Sequence, residues 1–271
     1  MQDHRIEVYE GPCDVPIRVW ALESLPHSIA ISRNDKLIAA KYSKTVKIFQ
    51  IEDGAIFRHE LPPSKNRSGR GNHLVSFSID SHSFVASTRY EPEKVVTYWS
   101  ECASNSRATV IESSAPTGFP GDNGLSSLLC SSTKTRGVFL STFTEKSLPV
   151  FHSMGPSKPS SRLIRDSKGN IGTRIHHAAL CPNGTNIVLV NQRNNVFWVD
   201  DCWSPISEPR RVGTLKKSVG VIREIEMGMP NSDEVHLFWI EKGKGMLVTM
   251  GRGGGKAKPI ELIVNLQMLV S

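Results

Sequence analysis

Apolar and polar residues alternate along most of this chain with the two-residue period of β-strands, in short runs closed by Gly, Pro, Asn, Asp and Ser. No stretch holds the 3.6-residue period of an amphipathic helix. The pattern predicts an all-β chain. Its clearest segment reads His27-Ser28-Ile29-Ala30-Ile31-Ser32, a polar turn Arg33-Asn34-Asp35-Lys36, then Leu37-Ile38-Ala39-Ala40 and Thr45-Val46-Lys47-Ile48-Phe49-Gln50-Ile51.

The same order returns along the chain. His73 to Ser78, the turn Ile79 to His82, Phe84 to Ser87 and Val95 to Trp99 form a second unit. A third uses Leu125 to Ser131, Val138 to Leu140 and Leu148 to Phe151, and a fourth uses His177 to Cys181, the turn Pro182 to Thr185, Ile187 to Val190 and Val196 to Asp200. With Ser32, Ser78, Ser131 and Cys181 as equivalent points, the spacings are 46, 53 and 50 residues. Units of that period with three or four strands each predict small sheets that must stack on their neighbours to bury both faces, which is the organisation of a β-propeller. A fifth unit supplies Val221 to Met227, Val235 to Ile240, Met246 to Met250 and Ile260 to Leu266. The expected architecture is one propeller-like domain over residues 1–271, with about five four-stranded blade units near 24–60, 72–104, 123–155, 174–204 and 219–266.

Over about residues 27 to 265 these units resemble degenerate blades of the WD-repeat β-propeller family. The first matches that family's apolar strand, serine, polar turn, apolar strand and aromatic-ended strand. No unit ends in Trp-Asp, the corresponding pairs being Phe49-Gln50, Trp99-Ser100 and Trp198-Val199, and no Gly-His pair opens a blade. The resemblance therefore implies the architecture and a protein-binding role, without the family's Asp-His-Ser-Trp network.

Five units are few for a closed ring of that family, which implies a small or incomplete ring. Residues 5 to 22 contain two further strand-like runs, Ile6-Glu7-Val8-Tyr9 and Ile17-Arg18-Val19-Trp20. An uncovered sheet edge invites association. Ile6 to Tyr9 or Ile17 to Leu22 is accordingly expected to pair with the C-terminal strands around Ile260 to Leu266.

Composition narrows the function classes. With 38% hydrophobic and 22% charged residues the chain can bury a sizeable core. It opens on polar residues rather than a secretory leader, contains no apolar run long enough for a membrane span, and has an odd number of scattered cysteines (Cys13, Cys102, Cys130, Cys181 and Cys202). An intracellular protein, cytoplasmic or nuclear, with reduced thiols is expected. His176-His177 with Cys181 falls short of a zinc site, because adjacent strand residues face opposite ways. The run Met250 to Ala257 lacks the first glycine and the hydroxyl of a phosphate loop, with Met250 and Ala257 standing in those places. No nucleophile elbow occurs and the carboxylate pairs Asp200-Asp201 and Asp233-Glu234 read as solvated charge. Neither catalytic residues, nor a metal site, nor a cofactor is expected, and the chain is read as a non-enzyme.

Charge is the feature with functional content. The formal net charge is +7, and residues 205 to 258 hold ten basic against six acidic side chains. Arg210, Arg211, Lys216 and Lys217 follow the fourth unit, Arg252, Lys256 and Lys258 fall in a glycine-rich connection of the fifth, and a further basic run extends from Lys158 through Arg162 and Arg165 to Lys168. Clustered positive charge attracts acidic surfaces and phosphate backbones. Trp203, in the turn-rich segment Asp201 to Pro205, is the tryptophan least explained by a strand and is a candidate contact residue. The expected function is a non-catalytic scaffold or adaptor that presents propeller loops to a protein partner through Arg210, Arg211, Lys216, Lys217, Arg252, Lys256, Lys258 and Trp203. The rival readings are a basic-surface binder of nucleic acid or anionic lipid and, third, an enzyme with a site in the central funnel.

Overall fold

The computed structural model describes residues 4–10, 15–62, 74–91, 94–114, 125–131, 137–142, 150–153, 161–169, 171–172, 175–181, 184–215, 222–227, 233–241, 244–254 and 260–262. Within them the secondary structure is strand throughout, with no helix. A two-stranded antiparallel sheet of β1 (Arg5–Val8) and β2 (Arg18–Ala21) comes first. Sheet 1 follows, built of β3 (Ser28–Ile31), β4 (Leu37–Lys41), β5 (Thr45–Gln50) and β6 (Ile56–Glu60). Sheet 2 contains β7 (Val75–Phe77), β8 (Ser83–Glu91) and β9 (Lys94–Glu101). The short β10 (Ser106–Arg107) then leaves sheet 2 to pair in parallel with β6, and β11 (Thr109–Ser114) returns to complete sheet 2. Sheet 3 comprises β12 (Leu125–Cys130), β13 (Gly137–Thr142), β14 (Val150–Ser153) and β15 (Ser161–Leu163). Sheet 4 comprises β16 (Ile175–Leu180), β17 (Ile187–Asn191), β18 (Asn195–Val199) and β19 (Arg210–Thr214). Sheet 5 comprises β20 (Ile222–Met227), β21 (Glu234–Glu241), β22 (Lys244–Gly251) and β23 (Ile260–Leu262).

One local device recurs where the first two strands of a sheet turn. Ser32, Ser78 and Ser131 each place Oγ to accept a backbone N–H across the turn, from Leu37 at 2.8 Å, Ser83 at 3.0 Å and Gly137 at 2.9 Å. Cys181 does the same with its sulfur, accepting from Asn186 N–H at 3.0 Å. In each case the backbone N–H of the same residue also donates to the carbonyl across the turn, at 2.9, 2.8, 3.1 and 2.9 Å. A short polar side chain that satisfies a buried turn donor is what a tight strand reversal needs. The four points equated by spacing are therefore the same structural position.

The sheets stack through their faces. Ala39, Val46 and Ile48 of sheet 1 pack on Val75, Phe77, Phe84 and Tyr98 of sheet 2. Phe151 of sheet 3 packs with Ala178, Leu180, Ile187, Leu189 and Phe197 of sheet 4, whose opposite face sets Val188, Val190 and Trp198 against Val235, Leu237 and Val248 of sheet 5. Burial on both faces explains why Ile187 to Val190 is a continuous apolar run and all four residues are fully buried. Each such aliphatic side chain contributes about 1.5–3 kcal/mol. Sheets 4 and 5 approach so closely that a Cβ built on Gly213 of β19 would lie 2.7 Å from the Met250 sulfur.

The terminal strands differ from expectation. β1 pairs with β2, and β23 pairs with β22, so no strand pairing joins residues 5–22 to Ile260–Leu262, and residues 263–266 of the expected partner lie outside the described residues. Instead the β1–β2 pair lies on sheet 1, with Ile6 and Trp20 against Ile38, Ala40 and Phe49. The Arg18 guanidinium donates to Ile51 O at 2.8 Å and the Trp20 indole to Gly54 O at 3.2 Å. These contacts hold the pair where it lies, and among the described residues the ring is not closed.

Candidate partner-binding surfaces

The strands that open sheets 1 to 4 surround a common space. Ile29, Ala30 and Ile31 of β3, Ser76 and Phe77 of β7, Leu129 and Cys130 of β12 and Ala178 to Leu180 of β16 line a cavity of about 770 Å³. Its rim carries Arg33 and Asp35 from the first turn. Burial raises the Cys130 thiol far above its ordinary range, helped by the Asp80 carboxylate, so this sulfur stays protonated and unreactive. The aliphatic residues and Phe77 share the cavity lining with Ser32, Ser76 and Ser78, and its described charges are Arg33 and Asp35 of the first turn.

A second concavity, about 470 Å³, opens on the outer side of sheet 4 and brings together Lys168, Phe197, Glu208, Pro209, Arg210 and Arg211. β18–β19 pairing fixes the arginines, with Arg210 opposite Trp198 and Arg211 opposite Phe197. Both are exposed. Phe197, by contrast, is fully buried and belongs to the core between sheets 3 and 4. Lys168 comes from the connection between sheets 3 and 4. That connection is tied to the strand by Glu208, which accepts from Ser167 Oγ at 2.6 Å and pairs with Arg165 Nε at 3.0 Å. Glu208 thus neutralises Arg165 and leaves Lys168, Arg210 and Arg211 as the described cations lining the groove.

The remaining candidates from the sequence are distributed differently. Lys216, Lys217, Lys256 and Lys258 lie outside the described residues. Arg252 bridges sheets 4 and 5, pairing with Asp200 at 2.8 Å and Asp233 at 3.5 Å. Those hydrogen bonds raise its pKa above the ordinary arginine value. The carboxylates read as solvated charge are thus the two jaws of a clasp. Trp203 is half-buried, its indole donating to Gly184 O at 2.6 Å and its ring meeting Phe151 edge-on at 5.2 Å. Beside it the Arg162 guanidinium stacks 4.8 Å from the Phe151 ring and donates to the Cys202 carbonyl. Trp203 is tied into the junction of sheets 3 and 4.

Reasoning from sequence missed the partnership of Lys168 with Arg210 and Arg211, although the basic run that ends at Lys168 was visible. It also missed Lys41 of β4, which has no exposed surface and donates to the Tyr42 carbonyl at 2.7 Å. Burial lowers the pKa of Lys41 to about 8.

A family model described as a domain of unknown function, DUF7099, matches residues 15–250. No curated protein matches the sequence. Among solved structures, the chain is similar to U3-55K, with a TM-score of 0.59, 15% identity, and coverage of 96% of this chain and 75% of that one. It is similar to the RRP9 WD40 repeats with a TM-score of 0.58, 15% identity, and coverage of 96% and 74%. A likeness also extends to the dihydro-heme d1 dehydrogenase NirN, with a TM-score of 0.51 and 14% identity, covering 96% of this chain and 50% of that one. At these identities the likeness establishes a β-propeller-like fold. Among the described residues no helix is long and apolar enough to cross a membrane.

Proposed function

The chain belongs to the DUF7099 family, and from that premise we propose that it is a non-catalytic scaffold that docks an acidic protein partner in the groove beside β19. The supporting observation is that one concavity is lined by Lys168, Arg210 and Arg211, from two separate stretches of chain. A groove of this kind suits a segment rich in carboxylates. The cations raise the encounter rate with such a segment. Arg210 and Arg211 are the primary contacts, and Lys216 and Lys217 extend the same basic stretch in sequence. Arg252, Lys256, Lys258 and Trp203 are assigned a secondary role, with Arg252 acting through the alignment of sheets 4 and 5.

Quantitative affinity capture from native extract, comparing the wild-type chain with a Lys168→Ala, Arg210→Ala, Arg211→Ala variant over a salt series, tests this reading. The melt should be nearly unchanged, because exposed charges contribute under about 0.5 kcal/mol. Proteins with acidic segments should be retained by the wild type and lost at least tenfold from the variant. Retention of RNA or phospholipid in their place would move the assignment to the phosphate-binding alternative. Equal retention by both forms would reduce the groove to a solvated face.

A further inference from the structure

The face of sheet 1 that looks away from sheet 2 is only half covered. In the β3–β4 register Ile29 lies opposite Ala40 and Ile31 opposite Ile38, so all four side chains share that face. Ile38 and Ala40 are buried beneath β1–β2, whereas Ile29 and Ile31 are 52% and 63% exposed. The turn device makes Ile29 and Ile31 equivalent to Val75 and Phe77 in sheet 2 and to Ala178 and Leu180 in sheet 4. Those four residues are between 6% and 8% exposed, because the inner strands of the preceding sheet cover them.

β2 leads into β3 as β6 leads into β7 and β15 into β16, from the outer strand of one sheet to the first strand of the next. The β1–β2 pair is therefore the outer half of a further sheet. Its inner half is missing among the described residues, and the free edge of β1 borders the vacancy, since β1 has β2 on one side and no strand on the other.

We propose that this half-sheet is a second docking site, completed in trans by an extended segment of a partner protein. That segment pairs with the edge of β1 and lays alternate apolar side chains on Ile29 and Ile31. The inference rests on the reading of the chain as a scaffold but uses a surface separate from the basic groove. The occupant is specified by continuity with the existing interface. Ile6 and Trp20 already form an apolar face over sheet 1, and an added strand continues that face inward at the strand spacing of about 4.8 Å. Its other face, like Arg5 and Glu7 on β1, is polar. The required chemistry is an eight-residue or similar stretch with aliphatic residues at every second position.

A panel of labelled eight-residue peptides alternating Ile, Val or Leu with Thr tests the proposal on the full chain, by fluorescence anisotropy together with amide hydrogen exchange. At least one peptide should bind and slow exchange in residues 5–8, and a version N-methylated on its pairing edge should lose at least tenfold in affinity. An Ile29→Asp, Ile31→Asp variant should lose binding to the same extent with an unchanged melt, whereas Arg210→Ala, Arg211→Ala should bind normally. Binding without protection of residues 5–8, or no binding across the panel, would overturn the proposal. A melt lowered by several degrees in the Ile29, Ile31 variant would also overturn it, because the chain's own residues would then already cover these side chains.

Discussion

Sheets 1 and 4 are built from the same pattern and meet different surroundings. Both open with an apolar strand that ends in a turn-bonding residue, Ser32 or Cys181, and both set two aliphatic residues toward the preceding sheet. In sheet 4 that pair, Ala178 and Leu180, is buried against sheet 3, while in sheet 1 Ile29 and Ile31 face open space. Periodicity thus specifies which side a residue faces, and only the neighbour decides whether that side is covered. The middle strands differ too. Lys41 of β4 occupies the position that Val190 holds in β17, each being the partner of the residue just before the aliphatic pair and each fully buried.

The largest expected difference comes from one substitution at equivalent positions. Leu180→Asp places a carboxylate in a packed interface and should cost more than about 4 kcal/mol, enough to unfold the chain at ordinary temperature. Ile31→Asp should leave the thermal melt within about 2 °C of wild type, since its side chain is already in water. Equal destabilisation by the two, read by thermal denaturation, would break the contrast between the sheets.

The buried cation gives a smaller, pH-dependent effect. With the folded-state pKa of Lys41 lowered to about 8 and its ordinary value at 10.5, the unfolded chain holds a proton between those limits that the folded chain has shed. Stability should therefore rise as pH increases from 8 to 10.5. Lys41→Met removes the desolvated charge at similar volume, so the variant should be more stable at pH 7 by about 1–3 kcal/mol and lose its share of the slope. Chemical denaturation at pH 7, 8, 9 and 10 measures both.

The smallest effect belongs to the turn. Ser32→Ala leaves the Leu37 N–H without its side-chain acceptor and should cost about 1 kcal/mol. Cys181→Ala should cost less, because sulfur is the weaker acceptor, and Cys181→Ser should be neutral or slightly stabilising. A larger loss at Cys181 than at Ser32 in urea denaturation would mean that the two turns are not energetically alike.

Much of this fold was readable in the sequence because its defining contacts are local. The spacing of Ser32, Ser78, Ser131 and Cys181 located four hairpins within a few residues, and the alternation around them assigned their strands. What escaped notice depends on partners distant in sequence. Nothing near residue 106 announces that Ser106 and Arg107 will pair with His59 and Glu60, and nothing near Arg252 announces its clasp with Asp200. The strand character of residues 5–22 is evident in the sequence, but not that β1 and β2 pair with each other while Ile260–Leu262 pairs with β22, because alternation carries no information about which edge a strand joins. The basic groove was half legible. Arg210 and Arg211 stood out by charge, and only folding sets Lys168 beside them, across 42 residues of chain.

The excursion of β10 ties two sheets into one mechanical unit. Ser106 and Arg107 extend the edge of sheet 1 while the chain on either side belongs to sheet 2, and Ala108 N–H donates to Glu60 O at 3.0 Å. In a stacked array whose members touch only their neighbours, partial unfolding ordinarily proceeds sheet by sheet. Here neither of the first two sheets can open without breaking bonds in the other, so they are expected to lose amide protection together, at a single free energy. The seam runs along the outer edge of sheet 1, the sheet on which the half-sheet rests. A load applied where β1 borders open space is consequently resisted by two sheets, which gives the incomplete end of the arc a rigid footing.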